Sequence, residues 1–237
     1  TVGEQLKCGD FVPFVFEHKF NMEVGDGDRK QLMSGTIDRV DICENGTDVY
    51  VRIIDYKTGK KDFNIVKTYY GIDIQLMVYM EAAMKLVAKM RPGKNVIPAG
   101  VFYYNISDPI VSATTESAEE IEDKIKGELR LKGMVNSDKD IAEKMDNTEG
   151  TSLNIPVSRK ADGGFDSRRS KVMNTEQFNI LGRFVDVRAI DTADRIAGGD
   201  IRRSPYKDGQ FSSCDRCPYG AVCGFSVDLP GLSLIHI

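Results

Sequence analysis

Three charged side chains, close together in the sequence, could hold a divalent cation beside an ammonium group. Asp38 lies in the segment GTIDRVD at 35–41, and Asp55 and Lys57 lie in IDYKTG at 54–59. Because Asp55 and Lys57 are two residues apart, both side chains leave the same face of a strand. Carboxylates are the usual protein ligands of hard divalent cations, and a bound cation activates water. These residues therefore predict a site for a divalent cation and an activated water.

The segment 35–57 that carries these residues is predicted to be a β-hairpin. Its apolar residues alternate with polar or smaller ones, and Asn45-Gly46 supplies the positive-φ positions of a tight turn. The alternation puts Arg39 and Asp41 on the opposite face from Asp38, where a structural role is expected. The alternating apolar positions are Val40, Ile42, Val49, Val51 and Ile53.

The elements on either side of the hairpin predict an α/β fold. Residues 11–20 indicate a strand with Glu17 in its middle, and residues 96–106 indicate another strand. Between them, residues 69–90 have helical spacing, which places Gln75 and Tyr79 one turn apart on the same helix face. A strand, a helix and a strand in that order form a crossover unit, so the sheet is expected to be mixed with helices on its faces.

The second half of the chain is predicted to be largely helical. Residues 116–132 and 138–146 indicate two acidic amphipathic helices, and 147–172 show little periodicity. A long helix is expected from Asn174, where Asn174 and Gln177 can form a capping pair, to Gly198-Gly199.

Length and composition indicate a globular protein with a sizeable core. The chain has 237 residues, 41% of them hydrophobic and 29% charged. It contains no apolar run long enough to span a membrane, and no signal peptide is visible. The net charge of −4 does not favour nucleic-acid binding by the whole surface, but residues 107–150 carry 12 acids and 6 bases, a net −6, so the remainder sums to +2.

Three cysteines near the carboxyl end predict a metal or cluster site in a reducing cytoplasm. Cys214, Cys217 and Cys223 lie within ten residues, a spacing unlike that of a secreted disulfide framework. Thiolates bind iron–sulfur clusters or Zn²⁺, and both usually take four protein ligands. Cys8 or Cys43 could supply the fourth, and Cys8 is the better candidate because Cys43 follows the strand that carries Asp38.

These motifs together resemble the AddB family of bacterial helicase–nuclease proteins, which carry a PD-(D/E)XK nuclease domain of the RecB type. GTIDRVD and IDYKTG resemble the nuclease core, QLMVY at 75–79 resembles the QxxxY motif, and the cysteines resemble the iron–sulfur triplet of AddB. YYGIDIQ, LKGMV and SPYK also resemble AddB segments in the same order. The resemblance runs from about Glu17 to Phe225.

The chemistry of the residues and the resemblance together assign roles to the site. Asp38, Asp55 and the Tyr56 carbonyl are expected to bind Mg²⁺, while Lys57 orients the attacking water and stabilises developing charge. The resemblance implies that Gln75 and Tyr79 hold the lysine environment or contact the DNA backbone, and it places a functional glutamate at Glu17.

The resemblance also implies two metal ligands outside this sequence. The first is a metal-binding histidine in a helix upstream of Glu17, because neither His18 nor His236 lies in such a helix. The second is the fourth cysteine of a [4Fe–4S] cluster.

The resemblance implies a restriction-endonuclease-like domain arrangement. The nuclease core is expected at 1–106, a helical extension of the same domain at 107–203 and the cysteine segment at 204–226. The tail at 227–237 does not match the family pattern, and two origins stay open for it: a stretch foreign to the gene, or the end of a fragment.

The expected function is that of a Mg²⁺-dependent DNA exonuclease domain in double-strand break repair by homologous recombination. An AddA-like helicase subunit would be its partner, because this sequence has no Walker A motif for ATP hydrolysis. Two alternatives stay open: a stand-alone RecB-family exonuclease of the CRISPR-associated kind, and a non-catalytic DNA-binding or scaffold module of the same fold.

Overall fold

The two central strands of the sheet are almost continuously buried because helices and loops cover both of its faces. The computed structural model describes residues 2–25, 30–106, 109, 111, 117–229 and 232–237. Its helices are α1 (Val2–Lys7), α2 (Ile65–Tyr69), α3 (Gln75–Met90), α4 (Ala118–Glu128), α5 (Lys139–Met145), α6 (Thr175–Ala197) and α7 (Gly220–Cys223). Its strands are β1 (Val12–Val24), β2 (Gln31–Asn45), β3 (Asp48–Lys57), β4 (Asn95–Asn105), β5 (Lys132–Asn136), β6 (Val172–Met173), β7 (Tyr206–Asp208), β8 (Phe211–Ser212) and β9 (Ile235–His236).

Six strands form one mixed sheet in the order β1-β2-β3-β4-β5-β6. The β1–β2, β2–β3 and β4–β5 pairs are antiparallel, whereas β3–β4 and β5–β6 are parallel. The parallel β3–β4 pair requires the crossover through α2 and α3. Two neighbouring strands can run in the same direction only when such a connection carries the chain back to the starting end. The predicted α/β fold, a mixed sheet flanked by helices, is confirmed.

The two faces of the sheet bury two separate hydrophobic clusters. On one face α3 and α6 pack over residues such as Val40, Val51 and Ile53. On the other face α5 and the residues after it cover Tyr50 and Ile54. The fully buried ion pairs of Arg39 and Arg52 with Asp41 lie on this second side of the hairpin, as the alternation predicts.

Several element boundaries differ from those predicted. The helix expected at 69–90 begins only at Gln75, as α3, and Tyr69 instead ends the short helix α2. Gly71, with a positive φ of 76°, lies between the two helices. The helix expected at 116–132 ends at Glu128, and Lys132–Asn136 forms β5. Gly133 permits this close pairing, since a Cβ there would lie 1.9 Å from the Val101 carbonyl oxygen of β4.

The other helices begin close to where the sequence places them. The Asn174–Gln177 capping box of α6 has both of its hydrogen bonds, each 2.8 Å long. The region 107–203 thus supplies α4, α5 and α6, and it also adds β5 and β6 to the sheet.

A second, three-stranded sheet orders the end of the chain. Its strand order is β8-β7-β9, and β9, from the tail at 227–237, pairs in parallel with β7. Within the described parts of the chain, no helix has the length and apolar character needed to cross a bilayer.

A pair of carboxyl groups lies in the contact between α3 and α6. Asp186 of α6 faces Glu81 of α3, and one buried oxygen of Asp186, Oδ1, has no hydrogen-bond partner. Burial raises the pKa of Asp186 to about 7, and the contact with Glu81 raises it as well, whereas Lys85 opposes the shift. The folded state therefore favours the protonated form of Asp186 more than the unfolded state does.

Replacing Asp186 with Asn is expected to stabilise the fold in a pH-dependent way. The contribution of the wild-type carboxyl is fully present below its unfolded pKa of about 4 and is lost as the pH rises through 7. The melting temperature of Asp186→Asn relative to wild type should thus increase from pH 4.5 to 7.5 and level off above that. Asp191→Asn, at an exposed position on the same helix, is the matched control. Melting curves of wild type and Asp186→Asn that change in parallel with pH would contradict this assignment.

Candidate active site

The two acidic residues predicted to bind a cation lie side by side on β2 and β3. Arg39 pairs with Ile54, so the next residues outward along the two antiparallel strands are Asp38 and Asp55. The backbone N–H of Tyr56 donates a 2.7 Å hydrogen bond to Asp38 Oδ2, which fixes this carboxylate against β3. Asp38 is half-buried, whereas Asp55 is only 2% exposed. The structure thus brings the two carboxylates together.

Lys57 completes this group of charges. Its Nζ lies 2.5 Å from Asp55 Oδ2, and the described part of the chain offers this buried oxygen no other donor. Burial raises the pKa of Asp55, and the negative charge of Asp38 adds to the effect, whereas Lys57 opposes it. Additional positive charge would therefore stabilise the ionised form of Asp55.

The first turn of α3 contacts the same carboxylate. Gln75 is the first residue of the helix, and its Nε2 donates to Asp55 Oδ1 at 3.4 Å and to the Tyr79 hydroxyl at 2.9 Å. The Tyr79 ring packs edge-on against Phe20 of β1, with centroids 5.7 Å apart. Gly35 makes room for both rings, because a Cβ there would lie 2.9 Å from Phe20. The Gln75–Tyr79 pair predicted from the sequence is thus joined to Asp55.

Glu17 lies across from Asp38 on the edge strand β1. Phe16 pairs with Arg39 and His18 with Ile37, which leaves Glu17 opposite Asp38 in the register. Glu17 has φ of +48°, and it is the one non-glycine residue with positive φ within the described ranges. Such a conformation costs about 1–3 kcal/mol and is concentrated at functional sites. Its side chain is exposed.

The residues present fit a magnesium site at which the protein provides only a few of the ligands. In the portion of the chain covered by the structure, no three His, Cys, Asp or Glu side chains are grouped so as to hold a metal, so Glu17 does not form a triad with the two aspartates. Mg²⁺ is commonly held by one or two carboxylates, with waters and substrate oxygens as its other ligands. Asp38, Asp55 and the Tyr56 carbonyl match that donor set, and among the described residues Asp55 Oδ2 is held by the Lys57 ammonium and by no backbone N–H.

The three clustered cysteines lie just after the small second sheet, in a turn and in the short helix that follows it. Cys214 and Cys217 share a turn after β8, with a 3.2 Å hydrogen bond from Cys217 N to the Cys214 carbonyl, and Cys223 ends α7. All three are free thiols, and they do not form a metal-binding group with one another. Cys8 accepts a hydrogen bond from Asn154, and Cys43 is a core thiol whose pKa burial raises. The predicted iron–sulfur site is therefore not confirmed.

Three residues near the carboxylates were not among the predicted site residues: Lys61, Asp73 and Tyr103. Tyr103 of β4 is directly paired with Asp55 in the parallel β3–β4 ladder. Its hydroxyl donates to Asp73 Oδ1 at 2.8 Å, and Lys61 Nζ lies 3.2 Å from the same oxygen. The sequence offered a weak signal, because Asp73 belongs to YYGIDIQ, but the contacts arise from the crossover and not from local spacing.

Comparisons with known proteins agree with this geometry. The family model of the PD-(D/E)XK nuclease superfamily matches residues 2–224. Relatives named as subunits of an ATP-dependent helicase/deoxyribonuclease include one from Clostridium botulinum, 37% identical over 97% of this chain, and one from Thermoanaerobacter sp., 35% identical over 100% of it. A relative with the same name from Clostridium tetani is 35% identical over 98% of the chain. The chain spans about a fifth of the length of these relatives, 21% in each case.

Removing the Tyr79 hydroxyl is expected to destabilise the fold modestly and to free Gln75. Tyr79→Phe keeps the ring against Phe20 but removes the 2.9 Å hydrogen bond, a loss of about 0.5–1.5 kcal/mol in the free energy of unfolding. Urea denaturation measures the change. Tyr104→Phe is the matched control, because the Tyr104 hydroxyl makes no hydrogen bond to any residue whose position the structure gives. Equal effects of the two substitutions would show that the Gln75–Tyr79 bond contributes nothing.

Proposed function

Because the chain belongs to the PD-(D/E)XK nuclease superfamily, we propose that it is the nuclease domain of an AddB-like helicase/deoxyribonuclease protein and hydrolyses phosphodiester bonds in DNA. One observation carries the proposal: Asp38 of β2 lies beside Asp55 and Lys57 at the end of β3, and Gln75 contacts Asp55. A chain that served only as a scaffold would have no physical need to keep a partly exposed lysine against a buried carboxylate at the end of β3.

The two aspartates supply the negative charge that would hold Mg²⁺. Asp38 is oriented by the Tyr56 N–H, and Asp55 by Gln75, so neither carboxylate has to reorganise. When bound, Mg²⁺ polarises the scissile phosphate and lowers the pKa of water. The Tyr56 carbonyl is the third protein oxygen in the proposed set.

The Lys57 ammonium has two proposed roles. It lies against Asp55 Oδ2 and keeps partial access to solvent. From this position Nζ would donate a hydrogen bond to the attacking water and then stabilise the negative charge that develops on the phosphate oxygens. Gln75 and Tyr79 would hold Asp55 in place beneath it, and Glu17, opposite Asp38, would act at the outer edge of the site.

The proposed biological setting comes from the names of the relatives. Those proteins are about five times as long as this chain and are named as subunits of a helicase/deoxyribonuclease, which favours this setting over a stand-alone exonuclease. The whole protein would act in the cytoplasm with an AddA-like helicase subunit. There it would degrade one DNA strand as an exonuclease during double-strand break repair by homologous recombination.

Cleavage of single-stranded DNA by the purified chain should require Mg²⁺ and Asp55. Asp55→Asn removes the charge that the cation needs, and at least a 100-fold loss in kcat is expected, about 2.7 kcal/mol of transition-state stabilisation. Asp48→Asn, the same change at the other end of β3, should retain activity. The measurement is the initial rate of product formation with Mg²⁺ or Mn²⁺.

Two outcomes of this experiment would overturn the proposal in different ways. Equal rates for wild type and Asp55→Asn would remove Asp55 from the site. DNA binding without cleavage by the wild-type chain, in both Mg²⁺ and Mn²⁺, would favour the non-catalytic DNA-binding module.

We further propose a [4Fe–4S] cluster on Cys214, Cys217 and Cys223, with its fourth ligand outside this chain. The support is the spacing of three free thiols within ten residues, of which Cys214 and Cys217 are exposed. The chemistry of this donor set suits either iron–sulfur or zinc. The cluster would clasp the second sheet and α7 into one unit.

The iron content of the protein is expected to depend on these three cysteines. Anaerobically purified protein should be brown and contain iron, and Cys217→Ser should lower its iron content and visible absorbance. Cys43→Ala, a change at a buried core thiol, is the control and should leave both unchanged. Cys8→Ser tests whether Cys8 is the fourth ligand. A colourless, zinc-containing protein would reject the cluster.

A further inference from the structure

Lys61 is held beside the proposed active site by the backbone of its own loop. The Lys61 N–H donates to Asn105 Oδ1 at 3.0 Å, and Asn105 Nδ2 donates back to the Lys61 carbonyl at 3.2 Å. Asn105 is the last residue of β4 and pairs with Lys57 in the β3–β4 ladder. The loop after β3 is therefore fixed at the level of Lys57 by a reciprocal pair of hydrogen bonds.

The Lys61 side chain is aligned by two groups beneath it. Its Nζ lies 4.6 Å from the centroid of the Tyr103 ring and 3.2 Å from Asp73 Oδ1. The Lys57 Nζ lies 5.7 Å from the same ring centroid, so two ammonium groups flank one buried aromatic ring. Burial raises the pKa of Tyr103 far above its ordinary value, and its phenol therefore remains a donor to Asp73.

Lys61 is the member of this group that solvent and a ligand can reach. The Lys61 side chain is 36% exposed, whereas that of Asp73 is 9% exposed and Tyr103 is fully buried. Asp73 already accepts the Tyr103 hydroxyl, so it does not depend on Lys61 for a donor. Lys61 also compensates the buried charge of Asp73, so the ion pair has a structural role, and the exposed part of the Lys61 side chain leaves it accessible to a ligand as well.

We infer that Lys61 binds a phosphate of the DNA substrate next to the scissile bond, and that Asp73 and Tyr103 are positioning residues for it. This inference rests on the proposed nuclease function. Lys57 is engaged with Asp55, so Lys61 supplies a second positive charge on the same side of the sheet. A phosphodiester chain entering the site carries one negative charge per nucleotide, and two ammonium groups on one ring suit two successive phosphates.

The salt dependence of DNA binding tests this inference without relying on cleavage. Binding of single-stranded DNA is measured in EDTA for wild type, Lys61→Met and Lys61→Arg. Losing one phosphate contact should reduce the slope of log K against log salt by about 0.7, and Lys61→Arg should restore most of it. Lys60→Met removes the same charge at the exposed neighbouring position and should keep the wild-type slope.

Cleavage in Mg²⁺ provides a second measurement. Lys61→Met should lower kcat/KM about tenfold and Lys60→Met less than twofold. Asp73→Asn and Tyr103→Phe keep the Lys61 charge but loosen its position, so they should reduce kcat more than they change the salt slope. Circular dichroism identifies any variant that fails to fold.

Two results would overturn the role of Lys61. One is an unchanged salt slope for folded Lys61→Met, and the other is an equal loss of slope for Lys60→Met. Failure of the wild-type chain to cleave DNA would instead count against the nuclease function, because the slope in EDTA would still report the phosphate contact.

Discussion

The arrangement of the site depends on one buried charge cluster on the opposite face of the hairpin. Arg39 donates to both oxygens of Asp41 at 2.6 and 2.7 Å, and Arg52 donates to Asp41 Oδ2 at 2.9 Å. All three side chains are almost completely buried. A one-residue slip of β2 or β3 would move these groups into the apolar cluster under α3 and break their ion pairs. Because breaking a buried pair costs about 3–5 kcal/mol, the cluster fixes the register, and the register puts Asp38 and Asp55 together on the α3 face.

The crossover connection then adds the remaining groups. Asp55 lies between Asp38 on β2 and Tyr103 on β4, since β3 pairs with both strands. The chain leaves β3 at Lys57, passes through Lys61, and enters α3 at Gln75, which contacts Asp55 again. One strand end therefore receives side chains from two neighbouring strands, a loop and a helix start. This convergence at the carboxyl end of a parallel strand is where α/β sheets commonly place their ligand sites.

The sequence predicts the parts of this arrangement that depend on local spacing. The alternation of β2 and β3 and the one-turn separation of Gln75 and Tyr79 are visible in the residues themselves. The positive φ of Glu17 and the strand β5 at Lys132–Asn136 were not predicted. Both depend on tertiary context: β5 forms because β4 offers an unpaired edge that Gly133 can approach, and this contact outweighs helix propensity.

Several unfavourable features of the fold, apart from the Asp186–Glu81 contact between α3 and α6, lie at one position in the sheet. Glu17 has a strained backbone, Asp38 and Asp55 place like charges on adjacent strands, and burial raises the pKa of Asp55. Each of these lowers the stability of the chain by itself. Two packed cores and the Arg–Asp–Arg cluster hold them in place. A divalent cation would remove the repulsion and stabilise the buried charge of Asp55 together, so the same features that cost stability are those that a metal-dependent site requires.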